Sequence, residues 1–447
     1  MSWDEAIEEI RQRKELARAQ GGAEAVARQH EKGRLTIRER IDGLLDAGSF
    51  HELGPAAGAP ERDADGRLTG YSPANFILGI GEVGGRPVAV GGEDFTLRGG
   101  SPNVSGLRKS VYAEELALQY RIPLVRLHEG GGGSVTGSAG KGSSAPTTDP
   151  VFATPRFQSV ARVLGTVPVA AAAMGPVAGL PASRLVASHF SVMVRGTAQV
   201  MTAGPAVVGR ALGQEVDKEA LGGAALHEKS GVVDNFAADE AEALAQIRRF
   251  LSYLPPNVWE LPPAADCDDD PERRDDYLAG AVPASRRRAF DMRKIAAAIV
   301  DRDSFFEMGR TYGPGQITGL ARLDGRPVGL FANDCRYYAG AMTAQGAQKV
   351  RRFIEFCETF HLPIVALVDE PGFMIGLEAE AAGTIRYGTA AVLAAANCRV
   401  PWASVIVRKV YGVAGAAHFG PGAFVLSWPS AETGALPLEG GVAVAFG

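Results

Sequence analysis

The sequence predicts an α/β fold in which one domain is built twice along a chain of 447 residues. Three observations carry that expectation. Short motifs recur in the same order in the two halves, strand and helix patterns alternate within each half, and a Pro- and Asp-rich stretch lies between them. The expected domains are 1–256, with a helical lead-in over 1–32, and 287–447, joined by a linker over 257–286.

The repeat is the most informative of the three. Asp46-Ala-Gly-Ser-Phe-His-Glu-Leu53 returns as Asp301-Arg-Asp-Ser-Phe-Phe-Glu-Met308. Gly84-Gly-Arg-Pro-Val88 returns as Asp324-Gly-Arg-Pro-Val328, and Ile122-Pro-Leu-Val-Arg-Leu127 as Leu362-Pro-Ile-Val-Ala-Leu367, both at an offset of 240. Val167-Pro168 pairs with Val400-Pro401, and Val177-Ala-Gly179 with Val413-Ala-Gly415. Each half then reads in one order. A strand pair straddles Gly-Arg-Pro, a helix follows, and an apolar strand opens after the x-Pro step and ends in a Gly-rich loop. A further helix leads to a second apolar strand with its own Gly/Ala loop. The lead-in reads as helix broken at Gly21-Gly22. The linker holds several prolines and the acid run 266–270, a composition expected neither to pack nor to hold a helix.

Composition excludes several classes of function. Hydrophobic residues are 46% and charged residues 22%, an ordinary globular balance, and the net charge of −5 offers no basic surface for nucleic acid. Four cysteines, none in a Cys-x-x-Cys pair, argue against a zinc ribbon or a disulfide scaffold. The apolar run 167–182 is too short and too Pro/Gly-rich to span a membrane, and the first residues lack a secretory pattern. A cytoplasmic enzyme without a metal is the expectation.

The strand-end loops suggest the chemistry. Such loops turn backbone N–H groups toward one spot, and two converging amides can hold an oxyanion. Each half supplies two: Glu129-Gly-Gly-Gly-Gly133 with Gly175-Pro-Val-Ala-Gly179, and Pro371-Gly-Phe373 with Gly412-Val-Ala-Gly415. An isolated glycine cluster more often just closes a turn, but recurrence at equivalent strand ends reverses that preference. Walker A, dinucleotide, Gly-x-Ser-x-Gly and His-Glu-x-x-His patterns all fail. His128 and Glu129 are candidate acid/base groups, with wall and cap roles as the alternatives, and Glu129 and Glu370 take matching loop positions. The inventory suits strong enolate stabilisation without a dedicated base.

Gly33-Arg-Leu-Thr-Ile-Arg-Glu-Arg-Ile41, Glu93-Asp-Phe-Thr96, Gly99-Gly-Ser101, Leu221-Gly-Gly-Ala224, Pro371-Gly-Phe373, Arg386-Tyr-Gly388, Arg408-Lys409, Tyr411-Gly412 and Trp428-Pro429 occur in collinear order. In these segments the chain resembles the carboxyltransferase (beta) subunits of biotin-dependent acyl-CoA carboxylases, of the propionyl-CoA and methylcrotonyl-CoA types. Gly372-Phe-Met-Ile-Gly376 with Glu378-Ala-Glu380 leans toward the latter. The resemblance implies a duplicated crotonase-like (ClpP/crotonase) ββα-superhelix of two domains. It implies transfer of a carboxyl group from carboxybiotin, held on a partner carrier protein, to the α (or vinylogous γ) carbon of an acyl-CoA. It places one oxyanion hole at Gly179 and Leu180 with Gly131 and Gly132, and the other at Val413 and Ala414 with Phe373, Gly415 lying in the pocket. Phe95, Thr96, Gly99, Gly100, Ser101 and Ala178 would line the CoA. It also implies a biotin carboxylase and biotin carboxyl carrier partner, a hexamer built as a trimer of dimers, and a further helical segment beyond Gly447.

Some positions depart from the family pattern. Ala178-Gly-Leu-Pro-Ala-Ser183 stands for Ala-Gly-Gly-x-Ala-Tyr, Gly412-Val-Ala-Gly415 for Gly-Gly-Ala-Tyr, and His128-Glu-Gly-Gly-Gly-Gly133 lacks the usual Arg. Two alternatives stay open on these departures: a biotin-independent acyl-CoA decarboxylase, hydrolase or hydratase of the same fold, and a non-catalytic subunit.

Overall fold

A computed structural model describes residues 3–132, 150–285 and 288–435, with side chains from 157 onward in the helix that opens at Pro150. The chain divides into two compact units, 1–252 and 253–447.

The first unit opens with α1 (Trp3–Arg18) and α2 (Ala23–His30), split at the expected glycines, and α3 (Ile37–Leu44). A capping box starts α3, where Thr36 accepts the Glu39 N–H and Glu39 accepts that of Thr36. There follow β1 (His51–Glu52), the hairpin β2 (Gly58–Arg62) and β3 (Leu68–Pro73), β4 (Phe76–Val83), β5 (Arg86–Glu93) and α4 (Val104–Tyr120). Next come β6 (Leu124–Gly131), α5 (Pro150–Leu164), β7 (Val169–Ala178) and α6 (Leu180–Val186). The unit closes with β8 (Phe190–Val194), β9 (Gln199–Met201), α7 (Pro205–Leu212), α8 (Lys218–Gly222), α9 (Ala224–Ser230), β10 (Asn235–Ala237) and α10 (Glu240–Ser252). Among the described residues the main sheet runs β1-β4-β5-β6-β7-β8-β10, with β9 extending β7. The strands are parallel from β5 onward. Parallel strands covered on both faces read as continuous apolar runs, and the 169–174 stretch of β7 is fully buried. α10 covers β8, its Phe250 stacked on Phe190 at 5.0 Å.

The second unit repeats this plan. After α11 (Tyr277–Gly280) and α12 (Met292–Ile299) come β11 (Phe306–Met308), β12 (Gln316–Leu323), β13 (Arg326–Asn333), α13 (Ala344–Thr359) and β14 (Ile364–Glu370). Then follow α14 (Leu377–Ala381), α15 (Thr384–Asn397), β15 (Trp402–Tyr411), β16 (Phe424–Ser427) and β17 (Glu432–Gly434). Its sheet runs β11-β12-β13-β14-β15-β16, with β17 extending β15.

Equivalent residues do equivalent work. Asp46 accepts the Gly85 N–H at 2.7 Å, and Asp301 accepts that of Gly325 at 2.8 Å, so each pins its Gly-Arg-Pro hairpin. Asn103 caps α4 through Gly106, and Thr343 caps α13 through Gly346. Both helices end on a left-handed residue, Arg121 (φ 56°) and His361 (φ 58°), just before the x-Pro step that opens the next strand.

The expectation that residues 257–286 neither pack nor hold a helix is corrected in the second unit. Ala265 bonds Gly325, Arg322 donates to Pro263 O at 3.3 Å, and α11 is a short helix. The prolines bring no donors of their own, and the Ala265 N–H and the Arg322 guanidinium on β12 make the bonds that seat the segment. No helix among the described residues is long and apolar enough to cross a membrane.

Candidate functional site

In each unit the last residues of two adjacent parallel strands rise above the sheet. Beside β6 and β7, the register pairs Gly130 with Val177 and Gly131 with Ala178 after a bulge at Glu129. The loops touch: a β-carbon on Gly132 would stand 2.6 Å from the Leu180 nitrogen. Gly179 (φ 67°) turns the chain out of β7, and Leu180 opens α6, whose first-turn amides have no intrahelical acceptor. Gly131, Gly132, Gly179, Leu180 and Ala178 are thus brought together, each at least partly exposed. Gly133 lies outside the described residues.

The second unit builds the same corner. β14 bulges between Val368 and Glu370, and Glu370 pairs with Val410. Gly412 (φ 61°) leaves β15 for a 3-10 helix over Val413–His418. The Pro371-Gly372-Phe373 turn lies alongside, the atom nearest a Gly372 β-carbon being Tyr411 O at 3.9 Å. Met342 N–H donates to Gly372 O and Met374 N–H to Met342 O, which leaves the Phe373 N–H outside that ladder. The Phe373 ring fills the space that Gly388 leaves on α15. Val413 is exposed, while Ala414 and Gly415 are buried behind it.

The ladders correct two pairings expected from the sequence. Leu124 faces Val169, and Ile364 faces Trp402, so β7 and β15 match at an offset of 233. Gly179 therefore corresponds to Gly412 and Leu180 to Val413, three residues away from the Val-Ala-Gly alignment. In the same register the partner of Glu129 is Asp369, and Glu370 corresponds to Gly130. A short motif slides along a Gly/Ala-rich stretch, whereas a ladder does not.

Under each corner a buried carboxylate anchors the bulge. Glu129 is held by Arg34, by Arg40 at 2.7 Å and by Gln29 Nε2 at 2.6 Å, in space that a β-carbon on Gly175 would occupy. Burial works against the Arg40 charge, yet bonds to Glu240 and the field of Glu129 leave its pKa raised. Asp369 is held by Arg408, Nη2 to Oδ2 at 2.9 Å, and by Lys409 at 3.4 Å. Arg408 stands at the position of Gly175, so the cation enters from the neighbouring strand in one unit and from α3 and its lead-in in the other.

The bulge amide is capped from the strand before it. Glu93 Oε2 accepts the Glu129 N–H at 3.3 Å, and Asn333 Oδ1 accepts that of Asp369 at 3.0 Å. Glu93 also meets His128 Nδ1 at 3.1 Å; burial pushes its carboxyl up, but the imidazole beside it leaves the pKa lowered. His128 and Glu129, the candidate acid/base pair, are thus fully buried beneath the loop rather than open above it.

The loop 95–101 packs against the first corner. Arg98, Gly99 and Gly100 take positive φ, as do Tyr338, Ala339 and Gly340, and β-carbons on Gly100 and Gly340 would meet the Glu129 and Asp369 carbonyls at 2.3 and 2.8 Å. Phe95 lies under Arg34, 4.9 Å from its ring centre, and Thr96 Oγ1 accepts the Gly21 N–H. Gly99 is exposed; the Ser101 carbonyl accepts Asn75 Nδ2 at 2.6 Å. Arg184 and Arg126 bind Glu114, which ties α6 to α4 and β6. No cluster of metal-ligating side chains occurs among the described residues.

The carboxyl transferase domain model matches residues 28–447. The carboxyltransferase subunit of propionyl-CoA carboxylase from Haloferax mediterranei is 34% identical over 452 residues, covering 100% of this chain and 86% of the relative. Methylmalonyl-CoA decarboxylase subunit alpha from Veillonella parvula is 34% identical over 457 residues, covering 99% and 86%. Transcarboxylase 12S, solved as a hexamer assembly with hydrolysed methylmalonyl-CoA bound, matches with a TM-score of 0.88 and 30% identity, over 100% of this chain and 85% of that one. The crotonase-type duplicated fold expected from the resemblance is the fold found, and these relatives are of the propionyl and methylmalonyl type. With paired strand-end corners, one in each unit, the chain belongs to the carboxyl transferase family.

Proposed function

We propose that this chain is the subunit that transfers a carboxyl group to the α-carbon of a short-chain acyl-CoA of the propionyl class. The observation that carries this reading is the same amide-bearing corner in each unit, with the nearby His and Glu side chains buried. Loss of the α-proton moves the C–H electron pair into the thioester and puts negative charge on its oxygen. Amides already aimed at that oxygen stabilise the enolate without reorganising, and each such donor is worth about 10²–10³ in rate. The Leu180 corner takes the thioester oxygen, with the loop 95–101 along the CoA.

The Val413 corner takes the ureido oxygen of biotin, and the donor set fits: that neutral oxygen needs N–H groups, which Phe373 and Val413 offer. Biotin, when bound, delivers the carboxyl group and accepts the α-proton. It arrives on a carrier chain charged by a biotin carboxylase, and the transferase works as a hexamer, as transcarboxylase 12S does. The likeness to a methylmalonyl-CoA decarboxylase subunit favours a second reading, in which the physiological direction is loss of carboxyl from the acyl-CoA.

Decarboxylation of malonyl-CoA and methylmalonyl-CoA by the purified protein, with and without free biotin, tests these readings. CO2 release that needs biotin and prefers methylmalonyl-CoA supports the transferase of the propionyl class. Release without biotin supports instead the biotin-independent decarboxylase that the loop departures left open. No release from either substrate sinks both.

A further inference from the structure

Glu370 ends β14 immediately before the Pro371-Gly372-Phe373 turn and is fully buried. Its two oxygens have separate partners. Oε1 accepts the Gly372 N–H at 3.0 Å. Oε2 accepts Asn333 Nδ2 at 3.0 Å and faces His418 Nε2 at 3.3 Å.

These partners are themselves fixed. Asn333 Oδ1 accepts the Asp369 N–H, and its Nδ2 also reaches Gly340 O at 3.2 Å. The His418 ring stacks on Phe331 at 4.2 Å, and its carbonyl accepts Trp402 Nε1 at 2.9 Å and Ser404 Oγ at 2.7 Å. Gly372 stands at φ 124°, a conformation side-chain-bearing residues rarely adopt. The Gly372 N–H is fixed by Glu370 and the Gly372 carbonyl by the Met342 N–H at 3.1 Å, so the peptide planes on both sides of Gly372 are held, the second of them carrying the Phe373 N–H.

Among the described residues the first unit has no counterpart to this clamp. Gly130 stands where Glu370 does, and its loop is held by backbone contact, Gly130 against Gly100 and Gly132 against Leu180. The same corner is thus built in two ways, by glycine packing in one unit and by a carboxylate in the other.

We propose that Glu370 is a positioning residue for the second oxyanion hole: it clamps the Pro371–Gly372 peptide and with it the Gly372 turn, so that, with the Gly372 carbonyl held by Met342, the Phe373 N–H points at the reacting oxygen, while Asn333 and His418 hold Glu370 in place. This rests on Phe373 serving as a hole donor in the proposed reaction.

The test uses the full-length protein, biotin-dependent decarboxylation of methylmalonyl-CoA, and hydrogen exchange over residues 371–376. In Glu370→Ala, kcat falls by about 10²–10³ while KM for methylmalonyl-CoA stays within about threefold, and exchange at the turn speeds up. Glu370→Gln keeps an acceptor oxygen and recovers at least about tenfold of that loss. Gly372→Ala removes no buried group and has 3.9 Å of clearance, yet cannot hold φ 124° without strain, so it reproduces the kcat loss at unchanged KM. Gly372→Ala with kcat within about threefold of the parent overturns the proposal, as does a KM that rises in step with the fall in kcat. Should Glu370→Ala fail to fold, Gly372→Ala and Glu370→Gln decide the matter. If the parent lacks biotin-dependent activity, the proposed function fails, but exchange at the turn still answers: unchanged protection in the Glu370 variants refutes the clamp, and lost protection upholds it.

Discussion

Gly179 and Gly412 each turn the chain through a positive φ and hand it to a helix whose first residue is Leu180 or Val413. A proline at the first helical position lacks the N–H but keeps the required φ, so it deletes a single donor with the helix intact. Leu180→Pro should lower kcat for biotin-dependent decarboxylation by about 10²–10³ and leave the thermal midpoint within about 2 °C of the parent. Steady-state kinetics beside a melting curve would show it, and a variant with parental kcat would remove Leu180 from the hole. Val413→Pro should behave alike in the second unit. At this scale the glycines were legible because a positive φ leaves a local mark on residue choice. Gln29, Arg40, Glu93 and Asn333 were not singled out as anchors, because their roles depend on partners far along the chain. Gln29 meets Glu129 100 residues on, and Arg40 meets Glu240 200 residues on.

At the scale of elements, the bulges of β6 and β14 decide where the corner amides point, and each carries a buried carboxylate, Glu129 or Asp369, paired with arginine. Glu129→Gln leaves Arg34 and Arg40 facing an uncharged amide in a dry site, and removing one partner of such a pair costs about 3–5 kcal/mol. Urea titration should show that loss, whereas a shift below about 1 kcal/mol would mean that Glu129 is not an anchor. α4 supplies a pH test. Burial pushes the Lys109 ammonium down to about 8 from 10.5, against the pull of Glu52 3.7 Å away. Between those two values the unfolded chain binds the extra proton, so the folded state gains stability as pH rises from about 8 to 10.5. Below about 8 both states are protonated and the burial penalty stands in full. Lys109→Met should therefore be roughly 2–3 kcal/mol more stable than the parent near pH 7, with the difference closing toward pH 10.5. A difference that does not depend on pH would refute this. The elements themselves were readable from alternation and caps, but the bulges were not, because a bulge is a relation between two strands.

For the whole molecule, the duplication explains why each unit repeats a corner, and why the repeats drift from an offset of 240 to one of 233 between one strand and the next. The segment joining β6 to β7 is simply longer than the one joining β14 to β15. If the protein works as proposed, it should sediment as six chains, and a stable monomer with full activity would contradict that assembly. The sequence by itself determined the duplication, the strand and helix order and the glycine corners, because periodicity, x-Pro steps and positive φ are written into neighbouring residues. The tertiary structure alone decided that Glu129 answers to Asp369, that Gly179 answers to Gly412, and that Glu370 turns inward to Gly372 and His418. Register is set by which sheet face is buried and by contacts spanning tens to hundreds of residues, and no local pattern encodes that distance.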